Sequence, residues 1–183
     1  MAKAKLKVAP IAQEVRLDLG CGPNKREGFI GVDERQFDGK VDVIQDLRKP
    51  WQWKADSVDE VHCSHFLEHL NGAERIHFFN ELYRVLRKDA KATIIVPHWS
   101  SGRAYGDPTH QWPPVVEFSW YYLDKAWRAA NAPHVDLKCD FAVTWGYNVA
   151  QAWQARSQET QMFGINHYRE VAQDMIATAI KRG

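Results

Sequence analysis

A short apolar run, Val15–Leu19, stops abruptly at Gly20-Cys21-Gly22. A run of this length bounded by glycine reads as a buried strand entering a tight turn. Glycines at a strand exit take dihedrals that other residues resist and let a ligand approach the main chain. The pattern recurs downstream. Phe29–Asp33 is a second short strand ending on a carboxylate, and Val41–Ile44 is a third, followed by Gln45-Asp46-Leu47. Ser57–Val61 opens a fourth strand that runs into His62-Cys63-Ser64-His65. From Asn71 to about Arg87, residues Ile76, Phe79, Leu82, Tyr83 and Leu86 recur at helical spacing and form one apolar face. Ala92–Pro97 is a fifth strand. Strands alternating with helix or loop predict an α/β fold, a mostly parallel sheet with helices on both faces.

The segment between Gly22 and Phe29 is too short for a full helix, which predicts a trimmed first crossover of a single turn. The second half is less regular. Residues 98–118 read as a long loop, Tyr121–Ala130 as a helix stopped by Asn131-Ala132-Pro133, and Asp136–Trp145 as a strand pair or one long strand. From Ala150 the tail reads as a C-terminal helix, with Ile165, Tyr168, Ala172, Met175, Ile176 and Ala179 on the face that packs down. The 183 residues suit one domain, 1–183, with a cofactor half at about 15–97, an acceptor or lid half at about 98–183, and a polar lead-in at 1–13.

Hydrophobic residues make up 45% of the chain and aromatics 12%, a composition that argues against disorder. The 24 basic and 23 acidic residues give a net charge of +1, so there is no electrostatic footprint for non-specific nucleic-acid or membrane binding. Three cysteines, Cys21, Cys63 and Cys139, suit a reducing compartment and supply no disulfide framework. The basic N-terminus lacks the apolar core of a signal peptide, and no apolar stretch is long enough to span a bilayer. The expectation is a cytoplasmic protein with no membrane partner.

In an open parallel sheet, ligands bind beyond the carboxyl ends of the strands, where strand order reverses. Asp18, just before the first glycine turn, can face that crevice, and Asp33 at the end of the second strand suits both hydroxyls of a ribose. A dinucleotide fingerprint needs a third glycine, where Lys25 stands, and an acidic residue farther along than Asp33. A nucleoside without phosphates fits better.

Taken together, Leu17–Gly22, Asp33, Gln45-Asp46-Leu47, Phe66–His69, Glu81–Arg87 and Ile94–Pro97 resemble the class I, Rossmann-like methyltransferases that depend on S-adenosylmethionine (SAM). The resemblance is closest to the methyltransferase-11-like group, whose fourth strand leads into a Leu-Glu-His turn. It runs in order over about residues 15–97. It implies a doubly wound Rossmann-like fold, SAM as cofactor and methyl transfer as the reaction. It also implies roles. Gly20, Cys21 and Gly22 lie by the methionine end of SAM, with Asp18 near its amino group. Asp33 binds the ribose. Gln45, Asp46 and Leu47 meet the adenine. Ser64 and His65 border the methyl group. One departure is that Pro23 or Asn24 stands where many relatives have a third glycine.

His98–Pro114 leaves the fifth strand at the ligand edge, where loops often carry function. His98, Asp107 and His110, with His65, are the candidate catalytic bases, and a lid stiffened by proline and tryptophan is the competing reading. His62, Cys63, His65, Glu68 and His69 invite a metal, but they straddle a strand end and a turn, so their side chains should diverge, and no metal is expected. On this reading His65 lines the cofactor pocket and His69 is hydrogen-bonded beneath it. DNA amino-methyltransferases resemble one another in an Asp/Asn-Pro-Pro-aromatic motif after the fourth strand; here that site holds Cys63–Phe66, which argues against DNA. The acceptor is left open among small molecules, saccharides, proteins and RNA. The alternatives on the same scaffold are a non-catalytic SAM-binding regulatory or assembly module and a SAM-degrading enzyme.

Overall fold

The structure, a computed structural model, describes residues 14–183. The lead-in expected at 1–13 lies outside the described residues. Strands β1 (Arg16–Leu19), β2 (Ile30–Asp33), β3 (Val43–Ile44) and β4 (Val58–Ser64) come first, followed by a 3-10 turn (Leu67–His69) and helix α1 (Gly72–Val85). Then come β5 (Leu86–Pro97), the short α2 (Arg103–Gly106), a 3-10 segment (Glu117–Leu123) and α3 (Lys125–Asn131). The chain closes with β6 (Phe141–Val149), α4 (Gln151–Gln154), α5 (Gln158–His167) and β7 (Ala172–Lys181).

One sheet of seven strands runs in the order β3-β2-β1-β4-β5-β7-β6. The first five strands pair in parallel, and β7 is antiparallel to both neighbours. Strand order reverses at β1, so a ligand crevice is expected beyond the ends of β1 and β4. The six-stranded dinucleotide sheet runs 3-2-1-4-5-6; the inserted antiparallel strand sets this one apart.

Register assigns the faces. Leu17, Val61, Ala92 and Ala179 align across the sheet, as do Leu19, Cys63, Ile94 and Ala177, and all are fully buried. They share one core with Phe78, Phe79, Leu82 and Val85 of α1. Trp120 adds to it, its ring 6.4 Å from Phe79 and its indole N–H donating to Met175 Sδ at 3.2 Å. Helix α1 starts where its sequence directs: Asn71 Oδ1 accepts from the Glu74 N–H at 3.1 Å, and Glu74 Oε2 accepts from the Asn71 N–H at 2.9 Å, a reciprocal cap. Asp18, His62, Thr93, Thr178 and Thr144 align on the opposite face.

Three expectations are corrected. The first crossover holds no helical turn: residues 22–29 form turns, the Arg26 N–H donates to Asp18 Oδ2 at 2.7 Å, and Phe29 meets His62 edge-on at 6.3 Å. The buried carboxylate takes up a donor that a helix would have used, and Pro23 and Gly28 (φ 77°) favour the turns. The C-terminal helix ends at His167, and the tail beyond it is strand β7. Met175, Ala177, Ala179 and Lys181 point inward while Ile176, Thr178 and Ile180 point out, so the period is two; the spacing of Ala172, Met175, Ile176 and Ala179 had suggested a helix. The helix expected at Tyr121–Ala130 is a 3-10 segment and α3, divided at Asp124, whose side chain accepts from the Trp127 N–H at 2.8 Å.

Candidate active site

Two adjoining cavities open beyond the carboxyl ends of the parallel strands. The larger, about 490 Å³, is lined by Gly20 from the turn after β1, Asp33–Arg35 and Phe37 after β2, Gln45–Arg48 after β3, His65, Phe66, His69 and Leu70 after β4, and Thr109. Gly20 is at φ 67°, and a Cβ built on it would stand 2.5 Å from the Phe66 ring, so only glycine fits the turn against that side chain. Asp33 Oδ2 accepts from the Gly22 N–H at 3.0 Å and Oδ1 from the Arg35 N–H at 3.1 Å. A carboxylate accepts about four hydrogen bonds, so capacity remains for a ligand. Asp46 accepts from Arg48 Nε at 2.8 Å, and that bond holds its carboxyl below the usual carboxylate range.

The smaller cavity, about 350 Å³, is lined by His65, Glu68, His69, Pro97, Arg103, Gly106, Asp107 and His110. His65 and His69 line both spaces. His65 takes a left-handed backbone conformation, φ 53°, with its N–H donating to Ile95 O at 2.9 Å. Strain of this kind gathers at sites where a side chain has been aimed. The ring stands between two buried carboxylates, Nδ1 at 3.3 Å from Glu68 Oε1 and Nε2 at 3.7 Å from Asp174 Oδ1. The Glu68 hydrogen bond raises its proton affinity above that of an ordinary histidine, against the opposing effect of burial. Arg103 Nη1 meets Asp174 Oδ1 at 2.9 Å.

A protein-family model described as "Methyltransferase domain" matches residues 27–94. The SAM-dependent methyltransferase of Archaeoglobus fulgidus superposes over 93% of this chain and 87% of its own, at 22% identity and a TM-score of 0.68. A SAM-dependent methyltransferase of Methanosarcina mazei covers 97% of this chain and 99% of its own at 14% identity and a TM-score of 0.58. Geranyl diphosphate C-methyltransferase of Streptomyces coelicolor, solved with S-adenosylhomocysteine, Mg²⁺ and a substrate analogue, covers 92% of this chain and 69% of its own at 14% identity and a TM-score of 0.57. No curated protein matches the sequence. The fold is that of SAM-dependent methyltransferases, and residues 27–94 carry the sequence match to a methyltransferase domain.

Within that methyltransferase fold the candidate residues divide into those that share the crevice and those that do not. Gly20, Asp33, Gln45, Asp46, Leu47 and His65 line the larger cavity, and His65, Asp107 and His110 the smaller. Cys21, Gly22 and Ser64 stand outside these linings, although the Gly22 N–H orients Asp33. Burial pushes the Cys21 thiol up to about 11, with Asp18 and Asp33 adding to it, so it remains protonated. Asp18 is buried beneath the loop on the far face, and burial raises its proton affinity against the pull of the Arg26 N–H. His98 is fully buried, with Nδ1 at 2.8 Å from Ser100 Oγ and Nε2 at 2.8 Å from Glu117 Oε1. Both of its nitrogens are used inside the protein. Sequence reasoning missed Glu34, Arg35, Phe37, Arg48, Leu70 and Thr109. The first four follow assigned residues closely and were within reach of positional reasoning, whereas Thr109 arrives on a loop whose path is tertiary.

The loop after β5 is fastened back over the turn after β4. The Gln111 N–H donates to Glu68 O at 2.8 Å, and Arg75 Nη1 donates to Pro113 O at 2.7 Å. Among the described residues, no helix is long and apolar enough to cross a membrane.

Proposed function

We propose that this chain is an active methyltransferase that binds SAM in the larger cavity and methylates a small polar acceptor, or a single polar group of a larger one, in the smaller cavity. The observation that carries this reading is that the two cavities meet at His65 and His69. On this reading residues 15–97 form the cofactor half and 98–183 the acceptor half. The three buried, unpaired cysteines agree with a reducing compartment such as the cytoplasm.

The residues fit the cofactor. The larger cavity has the size of a small-molecule site. Its lining holds three carboxylates, Asp33, Glu34 and Asp46, and two arginines, Arg35 and Arg48, that are turned to Glu34 and Asp46, which leaves Asp33 to meet a cationic nucleoside. Asp33 is already oriented by two backbone N–H groups and keeps lone pairs free for the ribose hydroxyls. Gly20 allows close approach of the main chain, and Gln45–Leu47 meet the base. Bound SAM supplies an activated methyl group on a good leaving group. The protein therefore has to align the acceptor and exclude water. The His65 ring, fixed between Glu68 and Asp174, defines where the acceptor meets the methyl donor. A base is needed only for an acceptor that must lose a proton. Of the four candidates, His65, Asp107 and His110 face the acceptor cavity, and His98 is enclosed.

Calorimetry with SAM and S-adenosylhomocysteine tests the cofactor assignment. Asp33→Ala should weaken binding by about 10-fold or more, the loss of a charge-assisted hydrogen bond to the ribose, in a chain that still unfolds cooperatively though at a lower melting temperature, since the Gly22 and Arg35 N–H groups lose their acceptor. Equal affinity in the variant removes the ribose assignment. Transfer of a labelled methyl group to a cell extract tests catalysis. Cofactor binding without any transfer assigns the chain instead to the non-catalytic binders.

A further inference from the structure

Glu68, His69 and His110 each place one ligand-capable atom within 4.8 Å of the other two. Glu68 is only 5% exposed, and its Oε2 is a buried atom with no hydrogen-bond partner. A buried polar oxygen of this kind costs free energy unless something pairs with it.

The two imidazoles are arranged as metal ligands usually are. Thr109 Oγ1 donates to Asp107 Oδ1 at 2.7 Å, so the 2.9 Å contact between His69 Nδ1 and Thr109 Oγ1 has the ring as donor. His110 Nδ1 stands 3.1 Å from Ala104 O, which can only accept. In the neutral rings both protons are on Nδ1, and each Nε2 carries a lone pair. Metal-bound histidines characteristically donate their other N–H to a carbonyl or a carboxylate relay, which fixes tautomer and ring orientation. The His69 and His110 rings meet edge-to-face, centroids 4.7 Å apart. Bonds of about 2.0–2.2 Å to one ion ask the three groups to draw together from separations of no more than 4.8 Å. Arg103, the cation lining the same cavity, is turned to Asp174.

We propose that Glu68, His69 and His110 bind a divalent transition-metal ion of the zinc type, with open coordination positions facing the acceptor cavity. Two imidazoles and one carboxylate favour zinc, cobalt or iron(II) over magnesium or calcium, which prefer all-oxygen shells. Three protein ligands leave positions for an exogenous donor, and an oxygen of the acceptor is the natural occupant. That last step rests on the proposed methyltransferase reading; the ion site itself does not. The expectation of no metal, drawn from His62, Cys63, His65, Glu68 and His69, lacked His110, which only the folded loop supplies.

The test uses metal-stripped, full-length protein without a histidine tag, titrated with Co²⁺ and followed by its visible absorption, then with Zn²⁺ in competition. The site predicts one ion per chain. It also predicts loss of the cobalt spectrum in His110→Ala and about 10-fold weaker binding in Thr109→Val, which loosens His69 without removing a ligand. His134→Gln, outside the site, should bind as wild type. Acetohydroxamate, a small oxygen chelator, should shift the cobalt spectrum by taking the open positions. No cobalt spectrum in the wild type, or an equal one in folded His110→Ala, overturns the site; an unchanged spectrum with hydroxamate overturns its open face. SAM calorimetry on the stripped protein runs in parallel. Cobalt binding without SAM binding defeats the methyltransferase reading and leaves the ion site standing, and the reverse result does the opposite.

Discussion

His65 shows how a single residue can be constrained by the place it must point. Its φ of 53° is one that glycine, asparagine and aspartate accept readily and that branched side chains resist. The backbone is held there by the bond to Ile95 O, and the ring is held by Glu68 and Asp174. His65→Asn and His65→Val both remove the imidazole, yet only the second adds backbone strain. The valine variant should be less stable than the asparagine variant by about 1–2 kcal/mol, measurable by denaturant titration, while both lose most methyl transfer. Equal stabilities would mean that the left-handed conformation is not retained. At this scale the sequence was informative where the chemistry is local. Asp33 could be read from its position at a strand end. The enclosure of His98 could not, because Ser100 is near in sequence but Glu117 reaches it only through the fold.

Elements were legible where one face is buried and the period is unambiguous. Helix α1 carries an apolar stripe and forms where that stripe places it, except that Leu86, expected on its face, opens strand β5 instead. Strand β7 carries alanines that suit either period, and pairing on both sides decides the outcome. Helix α1 also anchors the loop before β4. Glu81 accepts from the Trp51 N–H at 2.6 Å and from Arg84 at 2.6 and 2.7 Å, while Arg84 donates to Trp53 O at 2.7 Å. The Arg84 hydrogen bond is the main reason that the Glu81 carboxyl is held below the usual range. A carboxylate with depressed proton affinity stabilises the fold above the pH at which unfolded glutamate ionises. That contribution fades as pH falls through its folded value. Glu81→Gln should therefore cost about 2 kcal/mol near neutral pH. The gap in melting temperature to wild type should close as the pH drops below the normal glutamate range. A gap that stays constant with pH would mean that the charge of Glu81 is not what holds the loop.

On the scale of the whole molecule, β7 holds two parts of the sheet together. It pairs with β5 along Lys91–Pro97 and with β6 along nearly its whole length. Lys181 fastens its end, Nζ donating to Asp56 Oδ1 and to Leu86 O, each at 2.7 Å. Truncation after His167 should leave β6 without a partner, expose the hydrogen-bonding edge of β5, and abolish cooperative thermal unfolding as followed by circular dichroism. A truncated chain that melts sharply would show that the parallel half folds alone. The parallel half was readable from the order of short strands and glycine turns; the antiparallel insertion was not, because it depends on pairing between segments distant in the chain. The helix-free first crossover also has a consequence for ligand choice. In nucleotide-binding sheets a helix begins at this turn, and its aligned peptide dipoles attract an oxyanion. Here no such positive pole stands behind Gly20–Gly22, and Asp33 and Glu34 border the crevice instead. Triphosphates and pyrophosphate-bearing coenzymes, abundant in any cell, are thereby left without the helix-terminal anchor they use elsewhere.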